Sequence, residues 1–164
     1  MADNFSVALE YALDKLLYKN IRDYQRQVVQ NYMSGKDVFF CAPTGSGKSL
    51  VFEIAPFMFE KMKKLKKGTV IVVSPLRSLI RSQTEGLQKR NIKAIYLKDA
   101  FMSTDIEKKL MTLSFADVRK GEISILFASP ESLLDHQRNI ILELAGNNLI
   151  RALFVHEAHC IKKL

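Results

Sequence analysis

Hydrophobic residues along the chain alternate between two periodicities. Leu9, Leu13, Leu16 and Leu17 recur at helical spacing within residues 6–19, and a second amphipathic segment covers 23–33 before Ser34-Gly35 interrupts it. Short apolar, β-rich runs follow at Asp37–Cys41, Thr69–Ser74, Lys93–Leu97, Ser124–Ala128 and Ile150–Val155. Helical patterns lie between them, over 48–63, 76–89, 104–119 and 138–145. Strands alternating with helices predict an α/β fold, a parallel sheet with helices on both faces. No internal repeat, low-complexity tract or interdomain linker interrupts the pattern, so it reads as one α/β unit.

Composition adds little to this but bounds it. The chain has 164 residues, 48% of them hydrophobic, enough for one ordinary core. Its formal charge of +8 admits an anionic partner but equally describes a well-solvated basic surface. Lys61, Lys63, Lys64, Lys66 and Lys67 crowd one short stretch, which reads as a solvated helix end and loop. Cys41 and Cys160 have no metal-ligand spacing and make no disulfide framework, which points to a reducing compartment. Met1-Ala2-Asp3-Asn4 starts no signal peptide, and no apolar run approaches the ~20 residues of a membrane span. The expectation is a soluble intracellular protein with no membrane association.

The chemistry begins at the end of the first apolar run. Ala42-Pro43-Thr44-Gly45-Ser46-Gly47-Lys48-Ser49 fits the Walker A pattern, with Ala42 where the strict form has glycine. Glycines let such a loop curl until several N–H groups point at one phosphate chain. Lys48 would reach the β- and γ-phosphates and the Ser49 hydroxyl would ligate Mg²⁺, at the positive end of the following helix. The loop is expected to hold a nucleoside triphosphate. It does not say which kind of NTPase surrounds it.

Further stretches narrow the choice. Ile21-Arg22-Asp23-Tyr24-Gln25 precedes the loop. Val73-Ser74-Pro75-Leu76-Arg77-Ser78-Leu79, Phe127-Ala128-Ser129-Pro130-Glu131-Ser132-Leu133 and Val155-His156-Glu157-Ala158-His159-Cys160 follow it. In order and spacing these resemble the first motor domain of superfamily 2 helicases. The Arg-x-x-Gln upstream and Cys160 after the last motif are most similar to the RecQ family of DNA helicases. The resemblance divides the chain into an N-terminal helix, 1–17, and a helicase ATP-binding domain of RecA-like, P-loop type, 18–164. It implies ATP and Mg²⁺ as cofactors and single-stranded or partly duplex DNA as partner. It also implies 3′–5′ unwinding coupled to ATP hydrolysis, and a nuclear location if the organism is eukaryotic. Gln25 would read the adenine edge, with Arg22 nearby, because an amide both donates and accepts. Ser74-Pro75-Leu76 and Ser129-Pro130-Glu131 would touch the phosphate backbone of one DNA strand. An RNA helicase is a weaker fit to the upstream motif and to Cys160.

Two departures from the family pattern qualify that expectation. The acidic motif of the family reads Asp-Glu-Ala-His, its aspartate holding Mg²⁺ and its glutamate polarising the attacking water. Here His156 takes the aspartate's place, and imidazole is a poor ligand for so hard a cation. Glu157 keeps the general base, and His159 keeps the residue that couples nucleotide and DNA sites. The second departure is the short remainder after Cys160. The family continues with a further strand and a second RecA-like domain, so the chain reads as the N-terminal part of a motor, cut short on its C-terminal side. The missing strand belongs between the phosphate-loop strand and the acidic-motif strand, and both are then expected to have unpaired edges. An alternative to the active helicase is a catalytically silent ATP- and DNA-binding module.

Overall fold

The computed structural model describes residues 3–97, 115–134 and 137–157, which fall into two compact units dividing between Lys66 and Lys67. The first unit is helical. α1, Asn4–Leu16, starts at an Asp3 cap whose carboxylate accepts from the Ser6 N–H at 2.6 Å. It stops at Leu17, which turns left-handed at φ 60 and donates to the Asp14 and Leu13 carbonyls. Leu17 was expected on the apolar face; reversal of the chain at this residue turns it out to solvent instead.

α2 spans Asp23–Met33, as the pattern predicts. The single helix expected over 48–63 is two, α3 at Lys48–Glu53 and α4 at Ala55–Lys63. Pro56 explains the break, since it has no N–H to offer the Phe52 carbonyl. α1 packs on α4 and α2 on α3, burying Leu9, Leu13, Leu16, Val29, Met33, Val51, Ile54 and Met58. The lysine-rich stretch after α4 is solvated, as its composition suggests.

The second unit holds a four-stranded sheet. β1 is Thr69–Val73, β2 Ala94–Tyr96, β3 Ile125–Ala128 and β4 Ile150–Val155, in the order β2-β3-β1-β4, every pairing parallel. Helices α5 (Arg77–Lys89), α6 (Pro130–Leu134) and α7 (Arg138–Gly146) accompany it. Central β1 is buried along its whole length, as expected of a strand covered on both faces. Ile71 and Val73 pack with Leu126, Ala128, Val118 and Leu144 in one core, while Val70 and Val72 alternate to the opposite face. Truncating Ile71, Leu126 or Leu144 to alanine would cost about 2–5 kcal/mol. The helix expected over 104–119 lies largely outside the described residues; 115–119 are helical.

β4 enters the ladder with an irregularity at Arg151: Thr69 pairs with Ile150, but Val70 pairs with Ala152. The Arg151 guanidinium turns back onto the Lys67 carbonyl and also donates to the Asn148 carbonyl at 3.1 Å. Gly68 sits beneath it at φ 135, where any Cβ would collide with the guanidinium.

The fifth predicted strand does not form. Asp37–Cys41 is irregular, and all four strands of the sheet belong to the second unit. A strand exists through its neighbour's hydrogen bonds, and among the described residues none lies beside this segment. Phe39, which a ladder and a covering face would bury, is 87% exposed. β4 pairs on one side only among the described residues, and its Leu153 and Val155 side chains are exposed. Of the two unpaired edges expected beside a further strand, the one on β4 is present among the described residues, while the phosphate-loop segment forms no strand that could have one. The pattern reads as one α/β unit; the described chain falls into a helical unit and a unit holding the sheet.

Candidate nucleotide-binding site

The phosphate loop runs from Ala42 into the start of α3. Gly45 and Gly47 adopt φ 79 and 78, left-handed values that glycine reaches without strain. The Ser46 N–H closes the turn on the Pro43 carbonyl at 3.2 Å. Gly47 has a second reason to lack a side chain: a Cβ there would stand 2.7 Å from Gln25 Nε2. Thr44 is exposed at the tip of the turn, and Ser49 is half-buried in the first turn of α3. Lys48 Nζ lies back along the loop, donating to the Ala42 carbonyl at 2.6 Å and, at 3.4 Å, to that of Pro43.

The N-terminal turn of α2 braces this loop. Gln25 is 3% exposed and uses both ends of its amide. Its Oε1 accepts from the Arg22 N–H at 2.9 Å, one half of a capping box, and its Nε2 donates to the Gly47 carbonyl at 2.7 Å. Arg22 Nη1 donates to the Ser46 carbonyl at 3.2 Å, and the Tyr24 hydroxyl donates to the same oxygen. So Arg22, Gln25, Ser46 and Gly47, all expected at the site, are brought together, and Tyr24 joins them unannounced. Its only signal in the sequence was its place beside Gln25. The Gln25 amide holds the loop through one short bond at each end; reading an adenine edge would have to use the second lone pair of Oε1 and the remaining N–H.

A triphosphate fits this arrangement. The carbonyls of Ser46 and Gly47 are taken up by α2, while the first N–H groups of a helix have no acceptor within it and are available to an anion. Lys48 supplies a cation within the same loop.

In the second unit, parallel register brings Ser74, Ser129 and His156 to one edge of the sheet. Each follows the last residue of its strand, and Val73 aligns with both Ala128 and Val155. The Ser74 N–H donates to the Ala128 carbonyl at 2.9 Å and the His156 N–H to that of Val73 at 2.8 Å. This is the carboxyl edge, where open α/β sheets take their ligands.

The serine hydroxyls, however, do not face outward. Ser74 and Ser129 are buried. Ser129 Oγ accepts from the Ser132 N–H at 3.1 Å and Ser132 Oγ accepts from the Ser129 N–H at 3.0 Å, a reciprocal cap on α6. Pro130 is buried, and Glu131 is exposed in the first turn of α6, where its charge suits the helix dipole and would repel a phosphate. Leu76 and, beyond the expected residues, Arg77 and Ser78 are exposed after β1.

Glu157 follows β4 in a left-handed conformation, φ 56. His159 lies outside the described residues. Among the described residues no three His, Cys, Asp or Glu side chains cluster as a metal site. Ser49 offers the oxygen that Mg²⁺ prefers; the His156 imidazole does not fit that cation.

The phosphate loop of the first unit and the parallel sheet of the second are the parts of a RecA-like, P-loop α/β domain. Comparison with known proteins specifies it further. The DEAD/DEAH box helicase family model matches residues 22–164, and the chain belongs to that family. It is 30% identical over 149 residues to the ATP-dependent DNA helicase hus2/rqh1 of Schizosaccharomyces pombe, covering 90% of this chain and 11% of that protein. To the ATP-dependent DNA helicase Q-like 4B of Arabidopsis thaliana it is 34% identical over 161 residues, 92% of this chain and 12% of that protein. To the ATP-dependent DNA helicase RecQ of Haemophilus influenzae it is 28% identical over 149 residues, 89% of this chain and 21% of that protein. The chain thus spans between about a tenth and a fifth of the relatives it matches, and they are RecQ-type helicases. Among the described residues no helix is long and apolar enough to cross a membrane.

Proposed function

We propose that this chain is the ATP-binding part of a RecQ-type DNA helicase, whose motor couples ATP hydrolysis to 3′–5′ unwinding. The observation that carries the reading is the braced phosphate loop: two left-handed glycines, Lys48 within the loop, and two carbonyls held by α2. Thr44 to Ser49 would surround the phosphates, with Lys48 exchanging its carbonyl partners for phosphate oxygens. Mg²⁺, when bound with the nucleotide, neutralises phosphate charge and orients the γ-phosphate, with the Ser49 hydroxyl as its ligand from this loop. Glu157 would draw the proton from the attacking water. Single-stranded DNA would lie along the carboxyl edge of the sheet. Exposed Arg77 suits phosphate contact there better than the buried hydroxyls of Ser74 and Ser129.

His156 favours a second reading, a module that binds ATP and DNA without turnover. It stands at the end of β4, where the family pattern places an oxygen ligand, and the imidazole does not replace one.

Titration with a fluorescent ATP analogue tests the loop. Lys48→Ala should weaken binding about tenfold or more, equivalent to a loss of at least ~1.4 kcal/mol. Equal affinity in mutant and parent would remove the nucleotide assignment.

A further inference from the structure

We propose that Tyr24 is a positioning residue of the phosphate loop, fixing through its hydroxyl the peptide that presents the Gly47 N–H to the polyphosphate. This rests on the loop being a triphosphate site. The Tyr24 hydroxyl donates to the Ser46 carbonyl and accepts from Arg22 Nη1 at 2.8 Å. In a trans peptide the C=O and the following N–H point in opposite directions, and the described chain has no cis bond. Drawing the Ser46 oxygen toward α2 therefore turns the Gly47 N–H away from α2. Gln25 does the same to the next peptide, holding the Gly47 oxygen and turning the Lys48 N–H. Two successive N–H groups are aimed by two neighbouring residues of one helical turn.

The other donors to Ser46 cannot replace Tyr24. Gln25 Nε2 reaches that oxygen only at 3.4 Å and is committed to Gly47. Arg22 reaches it at 3.2 Å from an exposed position, and the guanidinium is itself steadied by the Tyr24 oxygen and ring. The ring leans on Phe40, centroids 5.9 Å apart, so the hydroxyl is presented from a supported position. Preorganisation of this kind acts on the phosphates and on nothing else in the nucleotide.

Tyr24→Phe retains the ring contact and removes only the hydroxyl. In the 164-residue chain it should weaken ATP and inorganic tripolyphosphate alike, by about 3–10-fold, the size of one lost hydrogen bond. The melting temperature should fall by no more than a few degrees, the cost of the same hydrogen bond to the unliganded fold. The backbone amide resonance of Gly47, followed by NMR, should move on adding tripolyphosphate to the parent and move less in the variant. A fall in melting temperature with an unchanged Gly47 response would make Tyr24 merely structural and overturn the inference. So would parent-like tripolyphosphate affinity in Tyr24→Phe while Lys48→Ala loses binding, and in that case the nucleotide reading would survive. If Lys48→Ala also binds as the parent does, the nucleotide reading fails and this inference falls with it.

Discussion

The phosphate loop and the end of β4 are the two places where this chain should do chemistry, and they have fared differently. Around the loop, residue identity and geometry agree. Gly45 and Gly47 take the backbone angles the curl requires, and Arg22, Tyr24 and Gln25 converge on two of its carbonyls. At the end of β4 the geometry is in order but the chemistry has changed. β4 is in register with β1 and its terminal N–H is paired to Val73, yet the side chain delivered there is His156. Backbone placement depends on strand pairing, which any side chain at position 156 leaves intact. Metal binding depends on that side chain's donor atom. On the proposed reading the fold keeps the strand-end position while the donor atom delivered there differs, so that binding and turnover would separate.

Breaking the loop should give the largest effect. Gly47→Ala forces an alanine into a left-handed angle and sets its Cβ against the Gln25 amide. The backbone term alone is about 1–2 kcal/mol; a free loop that uncurls to escape it must take on that cost again on binding, so triphosphate affinity should fall by up to about thirtyfold. Parent-like affinity in a calorimetric titration would show that the loop does not need this curl.

Gln25→Ala sharpens the comparison at smaller magnitude. Because the amide is engaged with Gly47 and Arg22, its loss should weaken ATP and GTP together, by about 3–10-fold. A loss confined to ATP in competition assays would instead return to Gln25 the adenine-reading role that the family resemblance implies.

The smallest expected effect lies at the Asp3 cap of α1. Its carboxyl is held below the ordinary 3.8 chiefly by the Ser6 N–H. A depressed carboxyl stabilises the fold above its unfolded value and loses that contribution as pH falls through the lower folded one. The melting-temperature difference between parent and Asp3→Ala should be present near pH 7 and shrink below about pH 3.8. A difference independent of pH would mean that the charge plays no part.

Much of this was legible in the sequence because it is local. α2 and β4 lie where periodicity places them, and the loop motif announced its own turn. The Ser129-x-x-Ser132 cap is a local pattern as well, but a strand-end Ser-Pro also suits a phosphate contact, and only burial separates the two. What was not legible depends on distant partners. Asp37–Cys41 has the composition of a strand, but a strand is a relation between segments. Tyr24 reads as a surface aromatic until the fold brings Ser46, 22 residues on, against its hydroxyl. The break at Ile54 is the opposite case, since Pro56 was in plain view and the apolar pattern running through it hid the consequence.

The separation of binding from turnover is tested most directly at position 156. In a chimera joining this chain to the remaining motor of a RecQ-type relative, ATP affinity and phosphate release would be measured on the same sample, for the parent and for His156→Asp. Both should bind ATP comparably. The parent should turn over weakly with Mg²⁺ and be partly rescued by Mn²⁺, which accepts imidazole more readily. His156→Asp should hydrolyse ATP at least about tenfold faster with Mg²⁺ and gain little from Mn²⁺. A parent that releases phosphate with Mg²⁺ as fast as the aspartate variant would contradict the account.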